Sequence, residues 1–282
     1  MLRLTTLKIS YLFLIFFLVL IKCQGPTSNG NNNSEDQEGI EAVLTVDKSE
    51  YSLDDTISVD FLAVNKSKNN KIHIYTTNGP LHLMSVYNTN DELVQFLPQF
   101  ITQTVYDFYF EPGDTIQNHV SWNQSTFSRN IYNNLKAYSG EYLIKFSYTG
   151  VNTSGLDKWI TITEEGEPLS SKLYWHFSAK DSIKLDFLIR NRISKKLIYL
   201  IKKNEKPMLQ FYEYGVATPI RELELKIDFD EIKLLEKSDC ELFSYQESKE
   251  NLKNIGLDGI YNCKIIIPCT SKDIIAEYII II

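Results

Sequence analysis

Four histidines and three C-terminal cysteines are the side chains best suited to chemistry, and their spacing argues against it. His73, His82, His119 and His176 match no metal-ligand spacing of the His-Glu-x-x-His or Cys-x-x-Cys kind. His73 and His82 can approach across a hairpin, but two imidazoles without a third ligand make a weak zinc site. Partly exposed strand histidines are the simpler reading. No Gly-x-Ser-x-Gly, phosphate-binding glycine loop or dinucleotide fingerprint occurs. Adjacent acids such as Asp54-Asp55 fall where a turn is expected and suggest no glycosidase or calcium chemistry. The expectation is therefore no catalytic set, no metal, no cofactor, and a protein that is not an enzyme. Cys263 and Cys269 lie on one extended stretch, about 20 Å apart at the rise of a strand, too far to bridge. If the strands of residues 240–246 and 261–269 run antiparallel, the candidate disulfide is Cys240–Cys269, with Cys263 buried and free. Three reduced thiols are the alternative.

The N-terminus reads as an address. Met1–Ser10 carries Arg3 and Lys8 and no acid, and Tyr11–Ile21 is apolar or aromatic throughout. That is a signal peptide, residues 1–22, with an apolar stretch too short for an ordinary transmembrane span. A retained anchor helix is the competing reading. Leu20-Ile21-Lys22-Cys23 resembles a bacterial lipoprotein signal, in which the Cys becomes the first residue and carries the lipid. Leu20 fits that pattern; Lys22 departs from the small residue it prefers. The resemblance implies lipidation at Cys23 and a membrane anchor in the cell envelope. The alternative is cleavage nearby and release as a soluble secreted protein. Gln24–Gly39 holds no large apolar residue and cannot offset its own ordering entropy, so residues 23–40 are expected to form the lipidated Cys and a disordered tether. Export permits a disulfide. Removing residues 1–22 takes away Arg3, Lys8 and Lys22 and lowers the formal charge from −7 to −10. Nucleic-acid binders need basic patches, so nucleic acid is not the expected partner.

The remainder is organised around a stretch that occurs twice. Asp55-Thr-Ile-Ser-Val-Asp-Phe-Leu-Ala-Val-Asn65 is answered by Asp181-Ser-Ile-Lys-Leu-Asp-Phe-Leu-Ile-Arg-Asn191. Downstream and in order, Asp114 answers Asp239, Ser121-Trp122 answers Ser244-Tyr245, and Asn134-Leu-Lys136 answers Asn251-Leu-Lys253. Gly140-Glu-Tyr142 answers Gly259-Ile-Tyr261. Colinear matches at nearly constant offset predict a tandem repeat, with domains at 41–166 and 171–282 separated by the polar, Pro-containing 164–171. Each is long enough to bury a core of its own.

Alternation sets the expected elements. Ile57, Val59, Phe61 and Ala63 share one face by the period of two, as do Ile183, Leu185, Phe187 and Ile189; these are predicted core. Asp60 and Asp186 fall on the other face and are expected to be solvated. Asn78-Gly79 predicts a hairpin between 71–75 and 81–87, and Ile131–Leu135 a helical turn. Seven or so short strands per domain, without a long helix, predict an antiparallel β-sandwich.

Tyr51, Asp55-x-Ile57, the strand-ending Asn65, Pro112-Gly-Asp114 before a strand with Trp122, and Gly140-x-Tyr142 together resemble the bacterial BsuPI-type proteinase-inhibitor domain over about residues 51–148. The resemblance implies an immunoglobulin-like sandwich. It places no inhibitory loop by residue. In the second copy Lys237-Ser238 replaces Pro112-Gly113, and Asp258-Gly-Ile-Tyr-Asn-Cys263 resembles the immunoglobulin tyrosine corner. Tyr142 and Tyr261 should each point into the core and bond back to the preceding loop. The terminal Tyr278–Ile282 strand should be covered, since bare isoleucines at an edge invite aggregation. The expected whole is all-β: two tandem immunoglobulin-like antiparallel sandwiches after a signal peptide and tether. The expected role is non-enzymatic binding or interaction in the envelope, with a protein ligand as the candidate partner. A BsuPI-type proteinase inhibitor is the alternative.

Overall fold

A computed structural model describes residues 39–76, 80–98, 105–127, 135–176, 181–227 and 229–282, all within one compact unit, Gln37–Ile282. The signal peptide, Cys23 and nearly all of the tether lie outside the described residues, as do Asn78, Gly79 and residues 131–134 of the expected helical turn.

The first half contains β1 (Ile40–Val46), β2 (Glu50–Tyr51), β3 (Ile57–Asn65), β4 (Ile72–Thr76), β5 (His82–Asn88), β6 (Leu93–Leu97), β7 (Tyr106–Phe110), β8 (Thr115–Trp122), β9 (Gly140–Tyr148) and β10 (Lys158–Ile162). The second contains β11 (Leu169–Trp175), β12 (Ser182–Asn191), β13 (Leu197–Leu200), β14 (Met208–Tyr212), β15 (Arg221–Glu224), β16 (Glu231–Leu234) and β17 (Cys240–Ser248). It ends with the short helix α1 (Lys249–Asn254), β18 (Ile260–Ile267) and β19 (Ile274–Ile281). The sheets repeat. β1-β3-β8 answers β11-β12-β17, the ribbon β4-β7 answers β13-β16, and β10-β9-β5-β6 answers β19-β18-β14-β15. Among the described strands the two-residue β2, which runs parallel to β10, has no counterpart. Both halves are immunoglobulin-like β-sandwiches.

Each sandwich buries a core of its own. Ile57, Val59, Phe61 and Ala63 are fully buried, and so are Ile183, Leu185, Phe187 and Ile189. Phe61 reaches across to the opposite sheet and stacks on Phe146, centroids 4.6 Å apart. The strand-ending asparagines are hubs. Asn65 Nδ2 donates to the carbonyls of Asn70 and Phe110, both at 2.9 Å, and its Oδ1 accepts from the Ser67 amide. Asn191 repeats this with the carbonyls of Lys195 and Leu234 and the Ile193 amide. The backbones of Asn65 and Asn191 bond in both directions to the Gly113-Asp114 and Ser238-Asp239 turns. Gly113 and Ser238 both take positive φ there, 89° and 81°. The turn demands that conformation, and a non-glycine residue tolerates it at a cost.

The two tyrosines behave alike. Tyr142 is 4% exposed and its hydroxyl donates to the Tyr138 carbonyl at 2.8 Å. Tyr261 is 7% exposed and its hydroxyl accepts from the Asp258 amide at 3.0 Å. Burial pushes the Tyr142 phenol up to about 12.

Four expectations are corrected. The Asn78-Gly79 hairpin does not form: β4 pairs with β7, whereas β5 pairs with β6 and β9, so the chain crosses between sheets there. Ser121-Trp122 does not answer Ser244-Tyr245. Val59 and Leu185 are equivalent, and they face Val120 and Tyr245; Ile57 and Ile183 face Trp122 and Glu247. Asp186 is not solvated but 1% exposed, bonded to His176 Nε2 and Ser244 Oγ, both at 2.6 Å. The C-terminal strand is covered on one face only, since Ile280 and Ile282 are buried but Ile279 and Ile281 are about half exposed.

The segment joining the sandwiches is fastened on both sides. Leu53 and Glu165 bond through their backbones, as do Arg192 and Pro168. At Gly166, φ 108°, a Cβ would come within 2.6 Å of the Leu53 carbonyl oxygen, so glycine is required. Arg192, 1% exposed, ties the halves together. Its guanidinium donates to Asp54 Oδ1 (2.9 Å), Gln124 Oε1 (3.0 Å) and the Ala137 carbonyl (2.8 Å). Leu135 packs with Tyr174 and Leu188 beside it.

Candidate functional site

The structure brings none of the three described cysteines together. Cys240 starts β17, and Cys269 follows β18 in the other sheet, so the antiparallel adjacency needed for a Cys240–Cys269 disulfide is absent. Both thiols are free. Cys240 is exposed and accepts from Arg190 Nε, whereas burial raises the thiols of Cys263 and Cys269, the latter to about 11. His73 and His82 lie in different sheets. His73 pairs with Asp107 and stacks on Tyr109, while His82 stacks on Phe146. Among the described residues no group of three His, Cys, Asp or Glu could hold a metal.

One arrangement was invisible in the sequence. On the outer face of β3 and β8, His119 Nδ1 meets Asp60 Oδ1 at 2.9 Å and His119 Nε2 meets Ser121 Oγ at 3.1 Å. These are the residue types and order of a nucleophile relay. The Asp60 and His119 side chains are about half exposed on a sheet surface. Such a relay needs a dry site with preorganised oxyanion donors, and a wetted sheet surface offers neither. Its counterparts in the second sandwich, by register, are Asp186, Ser244 and Gln246, without an imidazole at the middle position.

The larger sheets present a different kind of surface. In β9 the inward residues are Tyr142, Ile144 and Phe146, which leaves Leu143 and Lys145 outside. Register then aligns Trp159, Leu143, Tyr87 and Leu93 across four strands. Trp159 is 56% and Leu93 46% exposed, and Lys145 Nζ lies 4.8 Å from the Tyr87 ring centroid. In the second sandwich the aligned residues are Ile279, Asn262 and Tyr212. Relative to the glycines Gly140 and Gly259 that open the strands, Leu143 answers Asn262 and Lys145 answers Lys264. Tyr87 and Tyr212 face them from the next strand. A tyrosine and a lysine therefore recur at the same places on both outer faces.

The second face is hollowed. The loop after β14 forms one wall of an open cleft of about 470 Å³ lined by Tyr212, Tyr214, Asn262, Lys264, Glu277 and Ile279 among others. Lys264 Nζ sits 3.0 Å from Glu277 Oε1 and Asn262 Nδ2 3.5 Å from Glu277 Oε2. The Lys264 hydrogen bond holds the Glu277 carboxyl below its ordinary range. Tyr214 is 91% exposed. The lining combines Tyr212, Val216 and Ile279 with the polar Asn262, Lys264 and Glu277, a combination of apolar surface and converging polar groups from which small-molecule sites are built. Sequence reading placed Asn262, Lys264 and Ile279 on strands but missed the site, because only cross-strand register shows which outward side chains stand beside one another.

No family model and no curated protein match this chain. Solved structures similar to it include an Escherichia coli alpha-2-macroglobulin activated by porcine elastase, at 10% identity and a TM-score of 0.36, over 86% of this chain and 22% of that one. A Salmonella alpha-2-macroglobulin mutant matches at 10% identity and 0.35, over 87% and 16%. A red sea bream transglutaminase matches at 8% identity and 0.25, over 85% and 31%. The chain spans less than a third of each of these proteins.

Proposed function

We propose that this chain is an exported, lipid-anchored, non-catalytic binding protein of the cell envelope, which presents the outer faces of its two larger sheets. The observation that supports binding is the recurrence of Tyr87 with Lys145 and Tyr212 with Lys264 at equivalent outward positions, beside exposed Trp159 and Tyr214. Covering large exposed aromatics with a ligand gains hydrophobic free energy. The anchor is supported by Arg3 and Lys8, the apolar Tyr11–Ile21 and Cys23. Acyl chains hold a protein at ~0.8 kcal/mol per buried CH₂. Metabolic labelling with a radiolabelled fatty acid tests the anchor: Cys23→Ala should lose the label and, after a carbonate wash that strips peripherally bound protein, leave the membrane fraction. Unchanged retention of that variant would count against it. The released Cys23→Ala chain should sediment with isolated cell envelopes, and adding Trp159→Ser with Tyr214→Ser should weaken that binding. Equal sedimentation of both chains would rule out these faces.

The narrower reading is a BsuPI-type proteinase inhibitor, supported by the resemblance of residues 51–148. Asn65, Gly113, Asp114 and Tyr142, which carry that resemblance, work in the fold. Stoichiometric inhibition of any member of a protease panel would select this reading over the first.

A further inference from the structure

We infer that the cleft on the outer face of β14, β18 and β19 binds a neutral saccharide unit of a larger glycan; this rests on the binding reading above. Its floor excludes several ligand classes. β18 is central in its sheet, flanked by β14 and β19, so its own backbone groups are spent and a ligand lying over it meets side chains. Recognition must use side chains. The floor charges of Lys264 and Glu277 cancel at 3.0 Å, and Glu213 on the wall leaves the cleft negative, which disfavours phosphate and acidic sugars.

The polar groups suit hydroxyls. Asn262 offers amide donors and an acceptor, Lys264 an ammonium with three donors, and Glu277 a carboxylate acceptor. Their mutual contacts leave part of that capacity free. A hydroxyl both donates and accepts, so a ring bearing several can satisfy such an alternating floor. The walls suit the other side of a sugar ring. Tyr214 stands 91% exposed next to Gly215, whose φ of 79° lets the loop turn over the sheet, and Ile279 is 56% exposed opposite. An aromatic ring with one free face offers an apolar surface to the C–H face of a pyranose. The cleft is open to solvent, which allows a polymer to continue past it.

Titration of the purified full chain with cellohexaose, chitohexaose and maltohexaose, with a polygalacturonate hexamer as the acidic probe, tests this by calorimetry. At least one neutral hexamer should bind saturably and tighter than the acidic one. Tyr214→Ala and Asn262→Ala should each weaken that binding about tenfold, and Tyr75→Ala, exposed on the β4 ribbon, should leave it unchanged. Tyr214 is so exposed that its loss cannot unfold the domain. Absence of binding to every neutral hexamer, preference for the acidic one, or wild-type affinity in both cleft variants would overturn the inference. If no hexamer binds while Tyr214→Ser still weakens sedimentation with envelopes, the saccharide assignment fails and the binding site stands. If both are unaffected, both readings fail.

Discussion

β3 and β12 share a sequence pattern and differ in what surrounds them. β3 alternates: its inward residues are buried, while Leu62 is 40% exposed and the Asp60 side chain is half exposed. β12 is buried on both faces from Leu185 to Asn191, with Leu188 at 5%, Arg190 at 8% and Asp186 at 1%. Docking covers Leu188 and Arg190, whereas Asp186 is covered from within its own sandwich by His176 and Ser244. The first sandwich's Leu135 packs against Leu188 and Tyr174, and Tyr138 lies 5.4 Å from the Arg190 guanidinium. The position after the asparagine hub differs in the same way. Lys66 is an exposed partner of Glu41, whereas Arg192 is the buried tie between the halves. A duplicated strand thus keeps its core face by its own pattern and acquires its second face from its neighbour.

Four experiments would break or sharpen that comparison. Arg192→Ala should have the largest effect, roughly 3–5 kcal/mol, because the Ala137 carbonyl is left unpaired, Gln124 Oε1 keeps only the Asp54 amide, and a fully buried side chain is removed. Lys66→Ala at the equivalent position should stay within about 0.5 kcal/mol. Denaturant unfolding should show one transition for wild type and two for Arg192→Ala; a single unshifted transition would mean that the halves are not joined there. Asn65→Ala and Asn191→Ala should each cost about 1–3 kcal/mol per backbone group left unpaired, and by similar amounts, because the two hubs hold equivalent backbone groups. A large effect at one and none at the other would deny the equivalence.

Alkaline pH acts next. The Tyr142, Tyr148 and Tyr174 phenols are each raised from 10.0 to about 12, mainly by burial. A raised phenol is neutral in the fold, so its contribution is complete below pH 10 and is lost as pH rises toward 12, where the unfolded chain ionises first. For Tyr142 the loss is roughly 2–3 kcal/mol. The second sandwich adds the buried Cys263 and Cys269 thiols, raised from an ordinary value of 9.0, so it should begin to soften at a lower pH than the first. Stability that stays flat up to pH 12 would contradict their burial. Smallest are Tyr142→Phe and Tyr261→Phe, each about 0.5–1.5 kcal/mol, against roughly 3–5 kcal/mol for the Ala variants. Chemical melts of both pairs check this; equal effects of Phe and Ala would place the rings outside the core.

Much of this was legible in the chain. The repeat, the inward faces of β3 and β12, the Gly-x-Tyr strands and the strand-ending asparagines follow from period-two alternation and from turn chemistry, which are local. The Asn78-Gly79 signal misled for a related reason: it describes a tight turn and says nothing of whether the flanking strands pair with each other or with β7 and β9. The outward row of Trp159, Leu143, Tyr87 and Leu93 was unreadable because its members come from four strands whose register is set elsewhere.

By itself, then, the sequence determined which side of each strand faces a core, because side chains alternate along any strand wherever it is placed. It also determined that two such cores exist, because the pattern occurs twice. Only the tertiary structure decided that Asp186 is buried while Asp60 meets water, that Arg192 joins the sandwiches, and that Tyr214, Asn262, Lys264 and Glu277 share one cleft. Those outcomes depend on residues distant in the chain arriving at the same place. The packing of one sandwich on the other and the pairing of β14, β18 and β19 bring them there.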